Sequence, residues 1–204
     1  IASAEDIDDA IHRIVPKEYK DSWQDLNTPL HAFKRVASGP RIDKPQHIFF
    51  IVGESIPQWS LDEPYKELNI CPGLWDFKDN PHTAQVPNFL PAGNVSRPSI
   101  VSLLSGVYDA GMEINEREAF WHEPLPTSLA SQMKNLGYDT IYWYGGNASY
   151  GNFNHFGKAQ GFDQVESASV LCGPDAAKTS VGVYDHVFLE HICEEIKSLE
   201  QPTF

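Results

Sequence analysis

Two short stretches hold the residues that could do chemistry. Glu54 follows Gly53 and the apolar run Ile48 to Val52 in HIFFIVGES (His47 to Ser55). A carboxylate at a strand end packs poorly, but its hard oxygens suit a divalent cation. The plainer reading is a capping or solvent-facing glutamate. Ser96 opens a helical pattern in NVSRPSIVSLLSG (Asn94 to Gly106). A tetrahedral anion held at such a helix start gains from free N–H groups and the helix dipole. A serine hydroxyl needs a metal ion or an adjacent base to become a nucleophile. Without either, Ser96 is an ordinary helix cap. Arg97 is either a bidentate clamp for phosphate or sulfate or a surface charge. His155 shares a Gly/Asn-rich loop with Asn147, Asn152 and Asn154, which either lines a polar pocket or crosses the surface. Glu54 and Ser96 together make half of a metal-assisted nucleophile site.

The elements that must position these residues follow from pattern. Ile48 to Val52 is a continuous apolar run, as expected of a strand buried on both faces. Asp62 to Asn69 is a helical turn, Pro72 to Lys78 a short helix, and Thr83 to Phe89 an edge strand because of Pro87. Ser96 to Ser105 is a helix capped by Ser96 and stopped by Gly106. Thr127 to Leu136 forms another, with Leu129, Met133 and Leu136 inward. Asp139 to Tyr144 is a strand. Gly145 to Gly161 is loop, with a short helix near His155 to Gln160. Val183 to Leu199 is an amphipathic helix with Val187, Phe188, His191, Ile192 and Ile196 on one face, and a strand is expected to begin near Phe204. Strands alternating with helices predict an α/β fold with a mostly parallel sheet flanked by helices. Sites in such sheets form at the carboxyl ends of strands. Glu54 and Gly145 each follow a strand end there.

Composition bounds the function. The 204 residues carry a formal charge of −13 and are 41% hydrophobic, a globular profile. No basic stripe exists to neutralise phosphates, so no nucleic-acid partner is expected. Three cysteines, Cys71, Cys172 and Cys193, lack metal-type spacing and read as small buried or part-buried thiols, with room for at most one bridge. No run approaches the ~20 apolar residues of a bilayer span. Residues 1 to 45 read as a polar helical arm, and 46 to 204 are, by the family resemblance described next, the first part of a catalytic domain, incomplete at the C-terminus. Both chain ends read as cuts in a longer protein.

HIFFIVGES followed about 40 residues later by SRPSIVSLLSG resembles the alkaline phosphatase/sulfatase superfamily. The sulfatase nucleophile motif C/S-x-P-S-R, then L-L-T-G, is matched by Ser96-Arg97-Pro98-Ser99 and Leu103-Leu104-Ser105-Gly106. The Gly161 to Asp163 element fits as well. The resemblance puts Ser96 on the nucleophile. The motif's arginine is Ile100 here, which implies an ordinary serine instead of one converted to formylglycine. A single Glu54 in G-E-S is similar to the branch of lipoteichoic acid synthases and phosphoethanolamine transferases.

That branch implies transfer of a phosphoglycerol- or phosphoethanolamine-type group through a Ser96 intermediate to a cell-envelope acceptor. Glu54 and Ser96 would share one divalent cation, Mn, Mg or Zn, completed by ligands downstream of Phe204. The substrate would be a phospholipid or a phosphate or sulfate ester. The domain would be extracytoplasmic, on a protein anchored in the membrane by a segment outside this chain. The synthases' head-group positions fall on Tyr144, Gly151 and Phe153, which do not match. Asn152, Asn154 and His155, with Arg97, are the substrate-side candidates instead. Asp185-His186 imitates the family's Asp-His pair but lies in the amphipathic helix. The competing readings are a sulfatase or phosphodiesterase that transfers to water, and an inactive binding or structural module.

Overall fold

The computed structural model describes residue 39 and residues 42–86 and 89–204. The chain divides between Lys44 and Pro45. The helical arm expected over residues 1–45 lies outside the described residues apart from residues 39 and 42–45. Pro87 also lies outside them, and residues 83–86 join no sheet.

Two short strands pair in parallel. They are β1 (Ile141–Tyr144) and β2 (Gln164–Ser167), in register from Ile141 opposite Gln164 to Tyr144 opposite Ser167. Thr203 extends the sheet with parallel bridges to Asp139 on one side and His47 on the other. The lateral order is therefore 47, 203, 139–144, 164–167, parallel throughout, and residues 203–204 occupy the place expected of a last strand. Helices flank this sheet in an α/β arrangement. They are α1 (Pro72–Lys78), α2 (Ser96–Ser105), α3 (Leu129–Asn135), α4 (Phe153–Ala159), the single turn α5 (Ala168–Leu171) and α6 (Asp185–Ser198). Two 3₁₀ segments, Gln58–Leu61 and Glu63–Leu68, take the place of the turn expected at residues 62–69.

The main core joins Val101 and Leu104 of α2, Ala130 of α3, and Phe153 and Phe156 of α4, with Ile114, Ala148 and Phe162. Phe153 and Phe156 are the largest fully buried side chains. A second cluster packs Phe188 of α6 against Ala168 and Val183. Burying two phenylalanines makes residues 153–159 of the Gly/Asn-rich segment a core helix, each contributing about 1.5–3 kcal/mol of transfer free energy.

Several expectations are corrected. Ile48 to Val52 is not a buried strand. Only His47 bridges Thr203, and Phe49, Phe50, Ile51 and Val52 are 50%, 52%, 80% and 55% exposed. An apolar run is buried on both faces only where layers cover both, and no described helix covers this one. On α3 Ala130 is fully buried and Leu129 and Met133 are half-buried beside it, whereas Leu136 is exposed. On α6, Val187, Ile192 and Ile196 are half-buried beside Phe188, whereas His191 is exposed. The strand β2 was not expected, since QVES is four residues long and mostly polar.

The turn entering β2 is pinned by a polar corner. Asp163 Oδ2 accepts from the backbone N–H of Thr140 at 3.0 Å and from its hydroxyl at 2.9 Å, while Lys134 of α3 donates to Oδ1 at 2.6 Å. Burial pushes the Asp163 carboxyl up, but the Lys134 and Thr140 hydrogen bonds outweigh it and hold it below the usual carboxylate range. A depressed carboxyl stabilises the fold above its unfolded value and loses that contribution as pH falls through the folded one. Asp163→Ala strands a fully buried Thr140 N–H and is expected to cost about 1–3 kcal/mol at neutral pH. The exposed part of the Lys134 pair adds little, since its side chains are 45% and 40% exposed. Urea unfolding of both proteins at pH 7 and near pH 3 checks this, and the difference should shrink at the lower pH.

Candidate functional site

The site is assembled at one end of the parallel sheet. Residues 53–55 follow the segment that leaves the His47 bridge, and Tyr144 closes β1. α2 begins at Ser96, immediately after the extended residue Val95. Ser96 does not cap the helix, because Val95 holds the cap position and no side chain bonds the first turn. Its hydroxyl instead donates to Glu54 Oε1 at 2.6 Å. A carboxylate accepts more strongly than a neutral partner, and this charge-assisted bond takes the hydroxyl away from the helix end. The two residues chosen from sequence, 42 positions apart, are thus in direct contact.

The approach to Ser96 is buttressed by α2 itself. The Ser99 hydroxyl lies 3.1 Å from the Gly93 carbonyl and 3.0 Å from that of Val95. Gly93 packs so closely on the helix that a Cβ there would stand 2.7 Å from Pro98 Cγ and 3.0 Å from the Ser99 nitrogen. Gly106, at φ 71°, closes the far end of the helix in the left-handed conformation that glycine adopts without strain.

Arg97, next to Ser96, has a different set of partners. Its Nη1 donates to Glu116, its Nη2 donates to the Tyr150 hydroxyl at 3.0 Å, and its guanidinium carbon lies 5.0 Å from the Tyr150 ring centroid. Glu113 is 3.9 Å away. The Tyr150 hydrogen bond raises the Arg97 pKa above its ordinary value, against partial burial, and Glu116, Tyr150 and Glu113 add to the rise. Burial, followed by the charges of Glu54 and Tyr150, pushes the Tyr144 phenol up, with Arg97 opposing, so Tyr144 stays protonated at neutral pH. A groove runs past the start of α2, walled by residues 91–98, by residues 108–111 with Glu113, and by Tyr150.

The remaining candidates stand apart from the Ser96–Glu54 pair. Asn152 takes a left-handed conformation at φ 54° just before α4. Asn154 bonds Ala148 through its backbone, and its Oδ1 is buried without a partner. His155 is exposed and stacks on Trp121 at 5.2 Å. Among the described residues, no side-chain hydrogen bond joins these three to Ser96, Glu54 or Arg97. Of the three positions that failed to match the head-group pattern, Phe153 is core and Gly151 packs between Asn115 and Arg97. Asp185 and His186 lie in the first turn of α6, both exposed, where the pattern of that helix put them.

Tyr144, Tyr150, Glu113, Glu116 and Asn115 belong to this site, and sequence reasoning passed over all five as site residues. Hints came from the Gly/Asn-rich setting of Tyr150 and from the unmatched head-group position that falls on Tyr144. Among the described residues no group of three or more His, Cys, Asp or Glu side chains gathers to hold a metal ion. Glu54 and Ser96 offer two hard oxygens of the right chemistry, an incomplete donor set. No described helix is long and apolar enough to cross a membrane.

The Sulfatase family model matches residues 46–204. Among curated proteins no sequence matches. Among solved structures, the lipoteichoic acid synthase LtaP from Listeria monocytogenes is similar, with 15% identity and a TM-score of 0.43. The match covers 52% of this chain and 25% of LtaP, so the chain spans about a quarter of that structure.

Gly93→Ala is expected to force Pro98 and Ser99 off α2 and destabilise the domain by about 1–3 kcal/mol, the usual cost of overpacking. Denaturant unfolding measures the loss. Gly73→Ala, which meets nothing within 4 Å, is the control expected to unfold like the parent.

Proposed function

Because the chain belongs to the sulfatase family, within the alkaline phosphatase/sulfatase superfamily, we propose that it is the nucleophile-bearing part of a metal-dependent phosphotransferase. One observation carries the reading: the Ser96 hydroxyl at the start of α2 is bonded to Glu54 at 2.6 Å. Ser96 Oγ attacks phosphorus of a phosphodiester, the alcohol leaves with a proton, and the phosphorylated serine then yields its group to an acceptor hydroxyl. Glu54 orients the Ser96 hydroxyl and gives its proton an acceptor. The helix start behind Ser96 favours the charge that gathers on the phosphoryl oxygens.

The charge around the groove supports a cation. Glu113 and Glu116 stand against Arg97 and Glu54 stands against Ser96, so carboxylates outnumber the one arginine and an anionic phosphate arriving alone meets net repulsion. Glu54 and Ser96 would hold a Mn²⁺, Mg²⁺ or Zn²⁺ ion, which when bound lowers the pKa of the serine hydroxyl and screens this charge. Ile100, where sulfatases carry an arginine, packs against the core cluster of Val101 and leaves Ser96 as a plain hydroxyl. That favours phosphoryl transfer over formylglycine-dependent sulfate hydrolysis. The group moved would be of phosphoglycerol or phosphoethanolamine type, from a phospholipid donor to a cell-envelope acceptor, on the outer side of a membrane. Asn152, Asn154 and His155 are the candidates for contacts with the rest of the donor.

In the full-length protein Ser96→Ala is expected to lower turnover of bis(p-nitrophenyl) phosphate by a factor on the order of 10³ or more. Chelation should abolish turnover, and added Mn²⁺, Mg²⁺ or Zn²⁺ should restore it. Undiminished activity in Ser96→Ala refutes the nucleophile. Faster turnover of p-nitrophenyl sulfate than of the phosphodiester would favour the hydrolase reading, and no turnover or metal uptake at all would favour a binding module.

A further inference from the structure

Glu113 and Glu116 flank one 3₁₀ turn (Ile114–Glu116), and both lie within reach of Arg97. The turn is fixed from inside. Asp109 Oδ1 accepts from the Ile114 N–H at 3.2 Å, and Asn115 Nδ2 donates to the Gly151 carbonyl at 2.6 Å. Asp109 and Asn115 are only 2% and 0% exposed, so two buried polar anchors determine where the Glu116 carboxylate stands. Arg97 is gripped from three directions. Glu116 takes Nη1, the Tyr150 hydroxyl takes Nη2 at 3.0 Å, and the Tyr150 ring lies beside the guanidinium at 5.0 Å. Gly151, at φ 68°, closes the remaining side, where even a Cβ would lie 3.5 Å from Arg97 Cδ and Nε.

Glu116 and the Tyr150 hydroxyl take two of the five N–H donors of Arg97, so the guanidinium cannot reorient without breaking both bonds. We infer that Glu116 is a positioning residue for transfer at Ser96: it locks Arg97 and Tyr150 into one wall of the groove, and Arg97 serves as that wall and not as a free anion clamp. The inference rests on the Ser96 reading above. It assigns Glu116 a role in kcat without contact to the reacting atoms, and it makes Arg97 and Glu116 a single energetic unit.

The test uses the full-length protein and bis(p-nitrophenyl) phosphate, with Ser96→Ala run in parallel. Glu116→Gln and Arg97→Ala are each expected to lower kcat about tenfold while KM moves less than about twofold. The double variant should be no slower than Arg97→Ala alone. Glu116→Asp, which keeps the charge, should recover part of the loss. Tyr150→Phe, which removes one oxygen, should shift kcat in the same direction and covers the case in which Glu116→Gln fails to fold. Additive losses, or an Arg97→Ala effect confined to KM, overturn the inference. Titration with inorganic phosphate gives a readout independent of turnover. Glu116→Gln should leave phosphate binding unchanged or weaker, whereas tighter binding reveals an arginine clamp released from its carboxylate and refutes the positioning role. If Ser96→Ala keeps full activity, the nucleophile reading falls and with it a role for Glu116 in transfer at Ser96, whereas the phosphate titration separately decides whether Glu116 withholds Arg97 from anions.

Discussion

Residues 202–204 hold the sheet together. The Asp139 N–H donates to the Pro202 carbonyl at 2.8 Å, and the Ile48 N–H donates to the Thr203 carbonyl at 2.9 Å. Thr203, 4% exposed, is thus the backbone link between the His47 segment and β1. The 47–55 segment has no other ladder partner among the described residues. Without this link the sheet would not hold Glu54 and Tyr144 at a common edge. A parallel bridge between residues far apart in sequence costs loop-closure entropy and is recovered only when the layers around it pack.

Charge is the second constraint. The groove end of the domain concentrates carboxylates on 3₁₀ turns and loops, and it carries Arg97 as their counter-ion. Asp109 and Asn115 anchor that arrangement from the interior, where an unpaired polar group would be costly. On α2 Ser96 bonds Glu54, while its neighbour Arg97 bonds Glu116 and Tyr150. Adjacent residues at a helix start project about 100° apart, which allows one short motif to serve two sets of partners.

Much of the fold was legible because its helices obey local rules. α2 spans the ten residues marked by its proline, its apolar spacing and Gly106. α1 matches PGLWDFK from end to end. Burial was less legible. The run Ile48 to Val52 has the composition of a core strand but lies exposed, since exposure depends on what packs above and below. Phe153 sat in a segment that looked like loop and Phe156 in a short helix expected there, and long-range packing made them the centre of the core. Tyr150, Glu113 and Glu116 carried no periodic or motif signal, because their relation to Arg97 exists only across loop contacts.

By itself the sequence determined α1, α2, α3 and α6 and the alternation that makes an α/β sheet, which follow from local propensity and spacing. Ser96 and Glu54 stood out through the motif they resemble, since spacing alone left them a helix cap and a solvent-facing carboxylate. Tertiary structure alone decided that the Ser96 hydroxyl faces Glu54 and not the helix end, and that Arg97 is held between Glu116 and Tyr150. It also decided that the first apolar run lies uncovered. Each of these depends on which of several competing partners arrives within hydrogen-bonding or packing distance, and that is set by chain closure across 19 to 53 residues at Arg97, and across 42 at Ser96.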